Sequence, residues 1–373
     1  MRFVIPLLMT LCAFPSEATA EQRTLPAAPD VETLCINFND EDIKGYVLLI
    51  DARTAQEKAT DARQGHPAGP ILVFFQGHAQ RPDDAYEFTS NLAGLCRSGI
   101  VVVPVCDTPY GSDPLLYGDS GKDVILMDMV RFVLGRQGIS VKDFTPISSK
   151  PVTVNGTKGD AGKDAAGTEL VPIGWSHGGI LARRFSHAYP RSVHSLGQVC
   201  PAGYEHWGPW GLTGRFALES LRIFARMGNG HAGQMMRSSW GFTKGFTGDF
   251  LRSLPGALIE LHPAKAGRVF RDIRECSAYC DSSTFKVSHL DRAAVIFGAD
   301  DSCMDPARQL GIEDTSRVTP DEELRFRQTF FADLPGTARL SLKILPGTHL
   351  APVTHYELYA RTLLADLSEL AGH

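Results

Sequence analysis

Short apolar runs recur along this chain, and the stretches between them carry apolar residues at helical spacing. Residues 45–51 (GYVLLID), 71–75 (ILVFF), 100–105 (IVVVPV), 170–173 (LVPI), 194–199, 293–297 (AAVIF) and 340–345 read as strands. An unbroken apolar run of this length fits a strand covered on both faces, not one with a wet side. Pro104 has no amide hydrogen, so the ladder of its strand is expected to break near that end. Residues 83–96, 122–135, 180–189 and 356–370 have helical periodicity, and the third of these stops at Pro190. Alternating strands and helices predict an α/β fold, a mostly parallel central sheet with helices on both faces.

Two stretches break the rhythm. Residues 139–168, rich in Lys, Asp, Gly, Ser and Thr, read as a surface insertion, and 52–70 as a polar connection. The Gly162-Lys163 pair in the first makes no phosphate loop, because Thr157 stands where a glycine is required and Asp164 where Ser or Thr is. Residues 204–287 lose the strand–helix alternation and concentrate Trp207, Trp210 and Trp240 with several Phe and Met.

Composition narrows the function. Apolar residues at 43% and charged residues at 21% give enough core to exclude wholesale disorder. A net charge of −5, from 37 basic and 42 acidic residues, excludes a nucleic-acid binder that works by neutralising phosphates. No run of apolar residues is long enough for a transmembrane helix.

The N-terminus reads as an export signal. Arg2 is followed by an apolar stretch over 3–14 and by Ala18-Thr19-Ala20, with cleavage expected near Ala20. Pro6 and the polar turn of sequence at Glu21 disfavour a buried helix there. The expected location is therefore secreted or periplasmic. Seven cysteines would remain after cleavage, an odd number that permits at most three internal disulfides in an oxidising compartment. Cys276 and Cys280 lack a second Cys or His pair at ligand spacing, so no metal site is expected.

The chemistry is concentrated in Gly174-Trp175-Ser176-His177-Gly178. The pattern by itself is common in a glycine-rich chain, but here it follows a buried strand and opens a helix. A serine on such a turn is lifted out of the sheet to a helix N-terminus. Its hydroxyl needs a base, and the base needs an orienting acid. Loops after later strands open on the same sheet edge. The loop after 293–297 carries Asp300, Asp301 and Asp305, and the loop after 340–345 carries His349, with His355 further on. Ser176, Asp301 and His349 stand in the chain order this architecture requires.

On these three segments the chain resembles the α/β-hydrolase superfamily, in its secreted esterase and lipase-like branch. The likeness of layout runs over about residues 45–370, while the specific motifs are only those just quoted. The resemblance places the acid on Asp301, third after Gly298, with Asp300 and Asp305 in reserve. It places the base on His349 of Gly347-Thr348-His349, with His355 as the lesser candidate. It implies two backbone donors for an oxyanion, the amides of His177 and His78. His78 follows Gln76-Gly77, where a glutamine replaces the family's customary histidine. It also makes 204–287 an inserted, mainly helical cap on a core of 21–203 and 288–373. Trp175, Trp207, Trp210 and Trp240 are the expected substrate contacts.

The resulting expectation is an exported serine hydrolase that cleaves carboxylic esters through an acyl-enzyme, with no metal or organic cofactor. A small or lipid-like ester is its expected partner. A peptidase or amidase on the same scaffold is the nearest alternative, and an inactive binding protein is the reading from another class.

Overall fold

A computed structural model of the chain describes residues 31–38, 41–77, 82–83, 85–105, 122–142, 152–154, 157–158, 167–205, 211, 215, 286–312 and 314–367. The expected signal segment and most of 204–287 lie outside these residues.

Ten strands form one sheet in the order β10-β9-β8-β7-β3-β4-β2-β1-β5-β6. They are β1 (Val31–Phe38), β2 (Glu41–Asp51), β3 (Ile71–Phe75), β4 (Ile100–Val105), β5 (Val152–Val154), β6 (Thr157–Lys158), β7 (Leu170–Trp175), β8 (Ser195–Val199), β9 (Arg292–Gly298) and β10 (Arg339–Leu345). The six from β10 to β4 are parallel, and β2 and β1 continue the sheet antiparallel. Every expected strand is present, with β1 in addition. Part of the expected surface insertion is sheet: β5 pairs with β1 and β6 with β5 at the edge. The β3–β4 ladder ends at Val73–Val102, short of Pro104, while Pro104 keeps its register opposite Val47.

The apolar runs are continuous because two helical layers cover them. Ile71, Val73 and Phe75 of β3 pack in one buried cluster, with Val130 and Val133 of helix α3 (Lys122–Arg136) and Phe185 of α4 (His177–Ala188). Leu72 and Phe74 point the other way, to Phe88 and Leu92 of α2 (Tyr86–Leu95) and Leu363 of α8 (Tyr356–Asp366). Each such side chain, removed fully from water, contributes about 1.5–3 kcal/mol. The polar connection contains a helix, α1 (Ala55–Gln64), opened by a capping box between Thr54 and Glu57. Between β9 and β10 stand α5 (Pro306–Leu310) and α6 (Pro320–Phe330), and α7 (Ala351–Thr354) precedes α8. Both ends of the expected cap, Tyr204 and Val287, are buried in the core. No helix among the described residues is long and apolar enough to cross a membrane.

Candidate active site

Ser176 separates β7 from α4 with φ 56° and ψ −125°, a left-handed conformation for a residue with a side chain. Such a conformation costs about 1–3 kcal/mol and persists only where the surroundings enforce it. They do so by closeness. A Cβ on Gly174 would lie 2.1 Å from the carbonyl oxygen of Gly178, and one on Gly178 would lie 2.0 Å from that of Phe75. The two glycines let strand, turn and helix interpenetrate, as the sequence pattern required.

The acid and base come from the ends of β9 and β10, on the same sheet edge. His349 Nε2 lies 2.8 Å from Ser176 Oγ, and Nδ1 lies 2.8 Å from Asp301 Oδ2. With a carboxylate at Nδ1, the ring proton sits there and donates to Asp301, leaving the Nε2 lone pair to accept from the serine hydroxyl. Asp301 Oδ1 accepts from the amides of Cys303 at 2.9 Å and Met304 at 2.7 Å. All three residues are buried. The loops carrying acid and base approach closely, since a Cβ on Gly298 would sit 2.6 Å from the carbonyl oxygen of Gly347.

The reserve candidates lie elsewhere. Asp300 is exposed. Asp305 caps α5, accepting from the Ala307 amide at 3.0 Å. His355 Nδ1 bonds to the neighbouring Thr354 hydroxyl at 2.9 Å.

His177 opens α4, so its amide belongs to the positive end of that helix, beside Ser176. Gln76 and Gly77 continue β3 next to the elbow, and His78 lies outside the described residues. Trp207, Trp210 and Trp240 lie outside them too. Trp175 requires a correction. It is fully buried in the layer formed with α8, and its indole N–H donates to the His349 carbonyl at 2.9 Å. A side chain walled in on that face holds the base loop; it does not meet substrate.

Sequence reasoning missed several residues that brace the site. Gln198 Nε2 donates to the Gly179 carbonyl at 2.8 Å and its oxygen accepts from the Tyr204 hydroxyl, steadying the first turn of α4. Burial pushes that hydroxyl up to about 12. Cys200 follows β8 with φ 43°, its thiol against Asp301. Burial, then the Asp301 charge, hold that thiol well above the usual cysteine range. Cys96, Cys200 and Cys303 are buried thiols outside any disulfide. Cys276 and Cys280 lie outside the described residues.

The sheet order, the helical layers and the strand–elbow–helix turn define an α/β-hydrolase fold. A bacterial membrane phospholipase A is similar to it at a TM-score of 0.50, with 13% identity, over 91% of this chain and 86% of that one. A thermophilic esterase from Thermogutta terrifontis is similar at 0.48, with 12% identity, over 92% of this chain and 100% of the other. A probable hydrolytic enzyme from Pseudomonas aeruginosa is similar at 0.49, with 14% identity, over 91% and 95%. No protein-family model and no curated protein sequence matches the chain.

Proposed function

We propose that this chain is an exported serine hydrolase acting on carboxylic esters. The observation that carries the reading is the buried relay from Ser176 Oγ through His349 to Asp301, each bond at 2.8 Å, on a strained elbow at a helix N-terminus. Ser176 Oγ attacks the ester carbonyl while His349 Nε2 takes the hydroxyl proton. The carbonyl oxygen becomes an oxyanion, received by the amide of His177 and, in the family's manner, that of His78. Collapse of the tetrahedral species breaks the bond to the alcohol, which leaves with the proton from Nε2. Water then repeats the sequence on the acyl-enzyme and restores Ser176. Asp301 fixes the tautomer and stabilises the imidazolium in both halves. Trp207, Trp210 and Trp240 are proposed to line the acyl pocket, and the N-terminal signal to direct export.

A fluorophosphonate probe tests the class: it should label the wild-type chain and leave Ser176→Ala unlabelled. That variant should also lose about 10³-fold or more in turnover while keeping its melting temperature. A panel of p-nitrophenyl esters of rising length, run beside peptide amides, tests the bond. Faster cleavage of the amides would make the enzyme a peptidase or amidase, and labelling that survives in Ser176→Ala would remove the nucleophile.

A further inference from the structure

Beyond hydrolysis, the acid and base of the proposed reaction share a donor set with a thiol, that of Cys303, for which the reaction has no use. Asp301, Cys303 and His349 are buried, and a ligand atom from each lies within 4.8 Å of the other two. The set combines a carboxylate oxygen, a sulfur and an imidazole nitrogen. Borderline and thiophilic divalent cations are held by this mixture, whereas Mg²⁺ and Ca²⁺ require oxygen alone. We propose that this cluster binds Zn²⁺ or Cd²⁺ and that occupancy switches the enzyme off. The binding stands on the donors themselves; the inhibition rests on the function proposed above.

The three donor atoms lie within 4.8 Å of one another, so a bound metal asks the cluster to draw in around it. Ligand bonds of about 2.0–2.3 Å at tetrahedral angles separate donor atoms by roughly 3.3–3.7 Å. Asp301 Oδ2 and His349 Nδ1 are 2.8 Å apart and need only part slightly. Cys303 is held in place through its own amide, which donates to Asp301 Oδ1 at 2.9 Å.

Coordination through either ring nitrogen removes the base. If Nδ1 binds the metal, the ring proton moves to Nε2 and points at Ser176 Oγ, so no lone pair is left to accept the hydroxyl proton. If Nε2 binds, the metal occupies that lone pair itself. In both cases the imidazole stays neutral, and one proton, from the Cys303 thiol, passes to the buffer. Binding should therefore tighten as pH rises.

The test uses the full chain stripped of metal by chelator. Cd²⁺ is titrated in and followed by its thiolate charge-transfer absorption, while Zn²⁺ is titrated against p-nitrophenyl acetate hydrolysis. The expected result is a one-to-one absorption step and inhibition by Zn²⁺ that EDTA reverses, with Mg²⁺ and Ca²⁺ ineffective. Cys303→Ser should lose the absorption step and need about tenfold or more Zn²⁺ for half inhibition, relative to its own metal-free rate. Cys35→Ser, on a strand across the sheet from β9 and β10, should behave as wild type. His349→Gln leaves the Cys303 loop intact and should weaken Cd²⁺ binding by a similar factor, which keeps the test decisive if Cys303→Ser fails to fold. An absorption step unchanged in both Cys303→Ser and His349→Gln overturns the site. So does equal inhibition by Mg²⁺. A chain with no esterase activity but a Cys303-dependent absorption step would keep the metal site and remove the proposed function.

Discussion

Replacing Asp301 with Asn exchanges one oxygen for an NH₂ group in a place where the orientation of the newcomer is dictated. Oδ1 accepts from two backbone amides, Cys303 at 2.9 Å and Met304 at 2.7 Å, so the asparagine carbonyl must keep that side. Its NH₂ then replaces Oδ2, 2.8 Å from His349 Nδ1. Two donors cannot face each other, so Nδ1 becomes an acceptor and the ring carries its proton on Nε2. That N–H points at Ser176 Oγ, 2.8 Å away, and the base is gone. The expected fall in kcat is about 10⁴-fold, about 5.5 kcal/mol of transition-state stabilisation. Side-chain volume and both backbone bonds survive, so the stability loss is limited to about 1–3 kcal/mol. The assay is steady-state hydrolysis of p-nitrophenyl acetate with thermal melting alongside, for Asp301→Asn, Asp300→Asn and Asp305→Asn. The latter two should keep more than half the wild-type rate, because Asp300 is exposed and Asp305 is engaged in capping α5. Retention of more than a tenth of turnover by Asp301→Asn, or an equal loss in Asp300→Asn, would refute the reasoning.

Three further outcomes are expected. Trp175→Phe keeps an aromatic ring but loses the indole N–H and so strands the buried His349 carbonyl that it serves at 2.9 Å; kcat should fall more than KM rises, with about 1–3 kcal/mol lost in denaturant unfolding. Gly178→Ala should give little soluble protein, because the new Cβ would meet two main-chain oxygens, of Phe75 at 2.0 Å and Gln76 at 2.5 Å, and neither can move aside. Burial, opposed by Arg131, pushes the Asp128 carboxyl up to about 6 from 3.8. A raised carboxyl contributes stability that is present below about pH 4 and lost as pH rises through about 6. Asp128→Asn should therefore stabilise the fold at pH 7.5, by at most about 3 kcal/mol at about 1.4 kcal/mol per pH unit, and do nothing at pH 4. Melting curves at the two pH values check it.

The core strands were legible because burial on both faces leaves no choice of residue: ILVFF is apolar throughout since β3 touches a helical layer on each side. The triad was legible because chain order and loop position restrict it, and the structure brings Ser176, Asp301 and His349 together as that restriction required. α1 was missed because AQEKATDARQ buries almost nothing and so has no apolar stripe; Asp61 is its buried residue. Its signal was the Thr54–Glu57 capping box, and the Thr319–Glu322 box opens α6 in the same way. The edge strand β5 gains its order by pairing with β1, a partner over a hundred residues away that local composition cannot reveal, and β6 by pairing with β5. Trp175 was misassigned for a related reason. Its neighbour Ser176 marks the site, but strand alternation turns its side chain to the opposite layer.

A reactive constellation must be held to within about 0.5 Å, yet Ser176, Asp301 and His349 ride on three separate loops. The bonds that fix them run between strand ends of the core. Ala299 N donates to Leu345 O at 2.8 Å and Asp300 N to Gly347 O at 2.9 Å, tying the acid loop to the base loop. Cys200 N donates to Ile296 O at 2.7 Å and Ala202 N to Ser176 O at 2.9 Å, tying the loop after β8 to β9 and to the elbow. Trp175 joins the nucleophile's strand to the base. The Tyr359 hydroxyl lies 3.3–3.4 Å from the carbonyls of Phe297, Leu345 and Pro346, at the ends of both β9 and β10. Two left-handed residues, Ser176 and Cys200, sit inside this mesh, and their strain of about 1–3 kcal/mol each is sustained by it. The spacing of the three side chains is thereby a property of the sheet edge. On the proposed reading, the aromatic residues of 204–287 choose the acyl chain, and substitutions there can shift that choice without moving the hydroxyl that attacks.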